Sequence, residues 1–119
     1  MVEEIEYLIG KTMAKVENID NKEIIFETVD GIKYKLYHAS YCCECVMVED
    51  IVGELSDLIG SPILMAEEST NNDNPKDKYD ESFTWTFYKL STIKGSVTIR
   101  WYGSSNGCCS ESVDFCKIT

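Results

Sequence analysis

The chain has 119 residues and a formal net charge of −10, because 21 acidic residues outweigh 11 Lys and Arg. The length fits a single domain spanning residues 1–119, and an apolar content of 44% with 11% aromatic residues argues against a disordered chain. The charge disfavours direct binding to a nucleic-acid backbone, which needs Lys and Arg to displace counterions, and it favours basic partners.

The first third of the sequence predicts a short helix followed by a three-stranded antiparallel meander. Val2–Ile9 carries apolar residues at helical spacing and is followed by Gly10, which predicts a short N-terminal helix. Three alternating or apolar runs predict strands: Thr12–Glu17, Glu23–Val29 and Ile32–His38. Asp30 and Gly31 favour a type I′ turn, so the second and third strands should pair as a hairpin.

The centre of the chain predicts one longer helix over Val48–Ile59. Its apolar residues recur at the three- and four-residue spacing of a helical face: Ile51, Val52, Leu55, Leu58 and Ile59. Acidic side chains take the other side of this helix, and Gly60, Ser61 and Pro62 end it.

The last part of the sequence predicts a second antiparallel meander. Its strands are Ile63–Glu68, Phe83–Leu90, Gly95–Tyr102 and Ser112–Ile118, with a long polar loop at Ser69–Ser82. Together these elements predict an α+β fold, in which antiparallel meanders of about six or seven strands are combined with one central helix and a short N-terminal helix.

Reactive side chains concentrate between His38 and Asp50. Three of the six cysteines, Cys42, Cys43 and Cys45, lie there beside the only histidine. Zinc sites use four Cys or His ligands, commonly in pairs separated by two to four residues, and adjacent cysteines do not provide that spacing. We therefore predict no cofactor. If a metal is bound, we expect His38, Cys42 and Cys43 to be its ligands.

The same block allows a thiol-dependent enzyme, in which His38 would activate Cys42 or Cys43. No recognisable oxyanion loop or acid partner accompanies these residues, so no catalytic residue is predicted. Small buried cysteines that only fill space are the other interpretation of this block.

Two strands of the second meander each carry a tryptophan, Trp85 and Trp101. Either these rings fill the core, or one face of the strands presents aromatic side chains together with Arg100 and Tyr102. Such a surface suits a protein interface, or the stacking of a nucleobase with a cation beside its phosphate. The candidate ligand-binding residues are Arg100, Trp101, Tyr102, Trp85, His38 and Glu44.

The sequence also predicts a location and an assembly state. No apolar run approaches the ~20 residues that cross a bilayer, and the acidic segment Met1–Glu6 lacks the pattern of a secretory signal. We therefore expect a cytoplasmic protein without membrane contact, whose cysteines are reduced thiols. The second meander has more aromatic strand residues than a small core needs, and sheet edges have to be covered, which favours a homo-oligomer.

A family resemblance starts at the cysteine block. The motif H-x3-C-C-E-x-V-x-V-E-D-I-x-G-E-L runs from His38 to Leu55, and the segments Thr84–Leu90 and Gly95–Gly103 follow later. Together they resemble a family of small uncharacterised phage and prophage proteins, over most of the chain. The residues of the cysteine block that match the family pattern are His38, Cys42, Cys43 and Glu44.

The resemblance implies a non-enzymatic accessory protein of a phage that acts on a host component. It would serve in counter-defence, by binding a host protein or by sequestering a nucleotide signal. Two alternatives stay open. One is a thiol- or metal-dependent enzyme using His38 with Cys42 or Cys43, and the other is a structural, virion-associated protein.

Overall fold

The described residues form two β-sheets and contain no α-helix. The computed structural model describes residues 4–38, 45–71, 82–105 and 112–118. Within these ranges lie two short 3₁₀ helices, Ile5–Leu8 and Leu55–Leu58, and eight strands. The strands are β1 (Met13–Ile19), β2 (Glu23–Thr28), β3 (Lys33–Tyr37), β4 (Cys45–Val52), β5 (Met65–Asn71), β6 (Ser82–Thr92), β7 (Gly95–Ser105) and β8 (Asp114–Lys117). The predicted α+β class is therefore wrong, and the described chain is nearly all β.

Each sheet has four antiparallel strands. Sheet A has the order β1-β2-β3-β8, and sheet B has the order β4-β7-β6-β5. The predicted first meander and the predicted hairpin pairings are confirmed, since β2 pairs with β3 and β6 pairs with β7. The last strand does not extend the second meander. It pairs with β3 instead, where Phe115 lies opposite Leu36, so β8 completes sheet A.

Two turns explain how the hairpins of sheet A close. Asp20 and Asn21, between β1 and β2, have φ angles of 52° and 60°. Positive φ at both central residues is the mark of a type I′ turn, which Asp and Asn tolerate. The type I′ turn predicted at Asp30 and Gly31 is wrong. Of these two residues only Gly31 has a positive φ (87°), and its N–H donates to the Thr28 carbonyl at 2.9 Å in a longer loop.

The segment predicted as the central helix is strand β4 followed by a short 3₁₀ helix. A β-bulge between Val48 and Asp50 inserts Glu49 as an extra residue in the ladder with β7. The extra residue interrupts the period-two alternation, so the apolar positions after Val48 fall at a spacing that resembles a helix. The predicted N-terminal helix is likewise reduced to the 3₁₀ helix Ile5–Leu8.

The two sheets pack face to face around one apolar core. Its largest fully buried side chains come from both sheets and from the first 3₁₀ helix: Trp101, Tyr34, Tyr88, Phe26, Leu8, Met13, Ile24 and Leu36. Because strand side chains alternate, the residues between these positions form the outer faces of the sandwich.

Tyr88 is a buried polar side chain that reaches across the core. Its hydroxyl donates to Glu68 Oε1 at 2.5 Å and lies 3.3 Å from the carbonyl oxygen of Val113, beside β8. Burial raises the pKa of the Tyr88 phenol well above its usual value, and the hydrogen bond to Glu68 raises it further. The folded protein therefore keeps this phenol protonated and donating.

We expect Tyr88→Phe to lower the free energy of unfolding by about 1–2 kcal/mol at neutral pH, because Glu68 and Val113 lose a buried donor. Urea unfolding measures the change. The control is Tyr7→Phe, since Tyr7 is 53% exposed, and it should change the free energy by less than about 0.5 kcal/mol.

The same variant should alter the response to alkaline pH. The folded-state pKa of Tyr88 lies above the unfolded value of about 10, so the phenol's contribution is complete below that pH and decreases as pH rises above it. Tyr88→Phe should therefore lose less stability than wild type above about pH 10. An identical alkaline loss in the two proteins would contradict this account.

Candidate binding surface

The outer face of sheet B carries aromatic side chains around Arg100. The pairing of β6 with β7 places Trp85 opposite Tyr102 and Phe87 opposite Arg100. Side chains alternate between the faces of a sheet, so these four share the face that points away from the core. We define the aromatic face as Phe83, Trp85, Phe87, Tyr102, Arg100 and Asp50.

The rings of the aromatic face contact one another along and across the strands. Trp85 and Tyr102 meet edge to face, with a centroid separation of 4.6 Å and an interplanar angle of 60°. Phe83 stacks beside Tyr102 at 6.1 Å, and Phe87 stacks beside Trp85 at 6.4 Å. Aromatic pairs at such separations contribute about 0.5–1.5 kcal/mol each, so the rings hold one another in place. Phe83, Trp85 and Phe87 stay half-buried rather than fully covered.

Arg100 is held over these rings from two sides. Its Cζ lies 5.2 Å from the ring centroid of Trp85 and 6.0 Å from that of Phe87, within the range of cation–π attraction. Its Nη1 donates to Asp50 Oδ2 at 3.2 Å. The side chains of Arg100 and Asp50 are 37% and 51% exposed, so their ion pair adds little stability. The ion pair instead fixes the orientation of the Arg100 guanidinium.

The β-bulge of β4 places the carboxylate beside Arg100. Val48 lies opposite Trp101, so a regular ladder would bring Glu49 opposite Arg100, but the inserted residue makes Asp50 the partner. Asp50 was missed as a candidate because the segment was predicted to be helical. Phe83 and Phe87 were also missed, although their alternation with Trp85 indicated a common face.

The structure brings three predicted ligand-binding residues together, namely Trp85, Arg100 and Tyr102. Trp101 lies on the opposite face of β7. It is fully buried, and its Nε1 has no hydrogen-bond partner among the described residues. Glu44 lies outside the described residues. So do Cys42 and Cys43, the two cysteines expected as ligands if a metal is bound.

His38 lies apart from the aromatic face, directly after β3 of sheet A. Its Nδ1 is 2.7 Å from the carbonyl oxygen of Ser112, which precedes β8. His38 also lines an open pocket of about 310 Å³ at this end of sheet A, together with Ile19, Asp20, Lys22, Glu23 and Tyr37. In the part of the chain that the structure describes, no group of three or more His, Cys, Asp or Glu residues could hold a metal ion.

Comparison with known proteins gives a family but no activity. A family model described as a domain of unknown function (DUF7448) matches residues 6–115. The match spans nearly the whole chain, so the protein belongs to this family. No curated protein and no solved structure matches the chain. Among the described residues, every helix is too short or too polar to cross a membrane.

Proposed function

We propose that this member of the DUF7448 family is a non-enzymatic binding protein that takes a protein partner on its aromatic face. The observation that carries the proposal is the Arg100 guanidinium held over the rings of Trp85 and Phe87. Trp, Tyr and Arg are the residues that most often dominate the binding energy of protein interfaces. Rings that already hold one another lose little side-chain entropy when a partner binds.

A protein partner fits this surface better than a nucleotide does. A cation beside its phosphate favours the binding of a stacked nucleotide, whereas the Nη1 of Arg100 already donates to Asp50. A net charge of −10 also repels phosphate groups. The same charge speeds encounter with a basic protein surface, so the partner we propose combines an apolar anchor for the rings with a basic surround.

The resemblance of the motif from His38 to Leu55 to small phage proteins supports a more specific role. In this role the chain is a phage accessory protein in the host cytosol, where it occludes a host protein in counter-defence. The enzyme alternative depends on Cys42 or Cys43, which lie outside the described residues.

The proposal is tested by capture from a bacterial lysate with immobilised wild type, Trp85→Ala, Phe87→Ala and a control, Ile93→Ala. Ile93 is 80% exposed in the turn between β6 and β7, so the control removes apolar surface away from the aromatic face. We expect a partner that wild type and the control retain equally and that both aromatic variants bind at least about tenfold more weakly.

Equal capture by all four proteins would overturn the proposal. The other occupant to be tested on the aromatic face is a second copy of this chain, which light scattering over a dilution series would detect. A homo-oligomer that dissociates when Phe87 is replaced would assign the aromatic face to self-association instead of a foreign protein.

A further inference from the structure

Among the described residues, the four edge strands of the sandwich differ in how they are protected against strand addition. β1 carries a register shift between Met13 and Lys15, and β8 has only four residues. β4 is bulged, and its Val48 N–H already donates to the Asn21 carbonyl at 2.7 Å. Bulges, short length and lysines are among the devices by which proteins blunt an edge.

β5 has no bulge, Pro or Lys, and its charged residues are Glu67 and Glu68. Its seven residues pair with β6 in unbroken register, from Met65 opposite Ser91 to Asn71 opposite Trp85. Six of the seven are exposed, and the strand contains no Pro, Lys or Arg. In an edge strand alternate N–H and C=O groups face away from the sheet, where they can pair with another strand.

The N-terminal 3₁₀ helix Ile5–Leu8 contacts β5, and Ala66 of this strand is buried. The Gly10 N–H donates to the Ile63 carbonyl at 2.8 Å, just before β5 starts. Within the described residues, no strand pairs with the outer edge of β5. Residues 67–71 are all exposed, so pairing with a further strand is considered for this stretch.

The charge of this stretch selects what could pair with it. Glu67 and Glu68 are adjacent and exposed, so their side chains lie on opposite faces of the sheet. Glu68 accepts the hydrogen bond of Tyr88. Glu67 lies opposite Lys89 of β6 but makes no ion pair with another described residue. Opposite charges on adjacent strands attract and like charges repel, so a basic strand is favoured and a second copy of β5 is disfavoured.

The edge is also continuous with the aromatic face. Ser69 lies opposite Phe87 and Asn71 lies opposite Trp85, so two short polar side chains separate the edge from the rings. A strand added to β5 would lie about 10 Å from β6, since neighbouring strands are about 4.8 Å apart. Long side chains on its outer face would extend across Ser69 and Asn71 towards Phe87 and Trp85.

We propose that the partner presents a basic extended segment, which adds to β5 as a fifth strand of sheet B. Main-chain hydrogen bonds to residues 67–71 hold the segment, and Lys or Arg beside Glu67 selects it. The inference rests on the proposed function, because it specifies how a partner reaches the aromatic face.

The probe is a short synthetic peptide of alternating Thr and Lys, compared with one of alternating Thr and Glu. Amide hydrogen exchange of the full chain locates the contact. We expect the basic peptide to protect residues 67–71 while leaving residues 13–19 of β1 unchanged, and the acidic peptide to protect neither. Absence of protection in residues 67–71 at millimolar basic peptide overturns the inference.

Charge variants separate specific pairing from general attraction. Glu67→Lys should weaken binding of the basic peptide by about tenfold. Glu54→Lys makes the same change in net charge on an exposed residue that follows β4, at the opposite edge of sheet B, and should weaken binding far less. Equal weakening by the two variants would show attraction to the whole acidic chain and would overturn strand addition.

Proline variants test the main-chain hydrogen bonds. Of the adjacent residues Ser69 and Thr70, only one has its N–H directed away from β6, and Pro is tolerated at that position of an edge strand. The variant that keeps wild-type thermal unfolding should lose peptide protection, and retained protection would contradict the inference.

If lysate capture depends on Trp85 but β5 gains no protection, strand addition alone fails. If capture is also independent of Trp85 and Phe87, the proposed function fails as well.

Discussion

Replacing Gly53 with Ala is expected to lower the free energy of unfolding by about 3–4 kcal/mol. Gly53 follows β4 with a φ of 103°, a conformation that L side chains rarely adopt. A Cβ built there would lie 2.5 Å from the carbonyl oxygen of Ser96 and 3.3 Å from the Cα of Val97. Both contacts are backbone of β7, so the strand itself would have to move.

The matched control is Gly31→Ala. Gly31 also has a positive φ, 87°, but nothing lies within 4 Å of the position of its Cβ. Only the backbone penalty applies there, about 1–2 kcal/mol. Urea unfolding of both variants measures the difference. If the two substitutions lower the free energy of unfolding equally, the close approach of Gly53 to β7 does not limit the packing of sheet B.

Replacing the two tryptophans with Ala is expected to separate stability from binding. Trp101 is fully buried between the sheets, so Trp101→Ala should cost about 3–5 kcal/mol through loss of burial and the cavity that remains. Trp85 is half-buried on the outer face, where its loss removes two aromatic contacts and should cost about 1–2 kcal/mol. Partner capture should nevertheless weaken at least about tenfold with Trp85→Ala.

Thermal unfolding and capture, measured on the same preparations, check this contrast. Trp101→Ala should melt well below Trp85→Ala and, at a temperature where it is folded, should still capture the partner. If a Trp101 variant binds the partner more weakly but melts at the wild-type temperature, the binding surface lies on the Trp101 face of β7 and not on the aromatic face. A loss of capture that accompanies a lower melting temperature in a Trp101 variant reflects the damaged core and not the binding surface.

The hairpins could be predicted from the sequence because alternation reports directly on strands. Tyr34 and Leu36 are buried, and the residues between and beside them are not, as the period of two requires. β4 could not be predicted in this way. Its bulge at Glu49 displaces Ile51 from the alternation set by Val46 and Val48, and the result resembles a helical spacing.

The candidate surface could be predicted only in part. Alternation puts Arg100 and Tyr102 on one face of β7 and Trp101 on the other, but both faces carry aromatic side chains. The pattern of β7 favours the correct core face, but that of β6 does not, since its aromatic residues Trp85 and Phe87 face outward while Thr86 is buried. The core face of β6 depends on which side sheet A covers. The same holds for β8, whose pairing with β3 is set by contacts between distant parts of the sequence.

The pairing of β8 with β3 has a consequence for the order of folding. All of sheet B lies in sequence between these two strands, so their direct pairing requires closure of a very long loop. Sheet B removes most of that cost once it has formed. Its first and last strands are neighbours, with Cys45 beside Ser104, so the two ends of the intervening segment are already close. We therefore expect sheet B to form first and β8 to dock last. Mutations in β8 should then accelerate unfolding while leaving the rate of folding nearly unchanged.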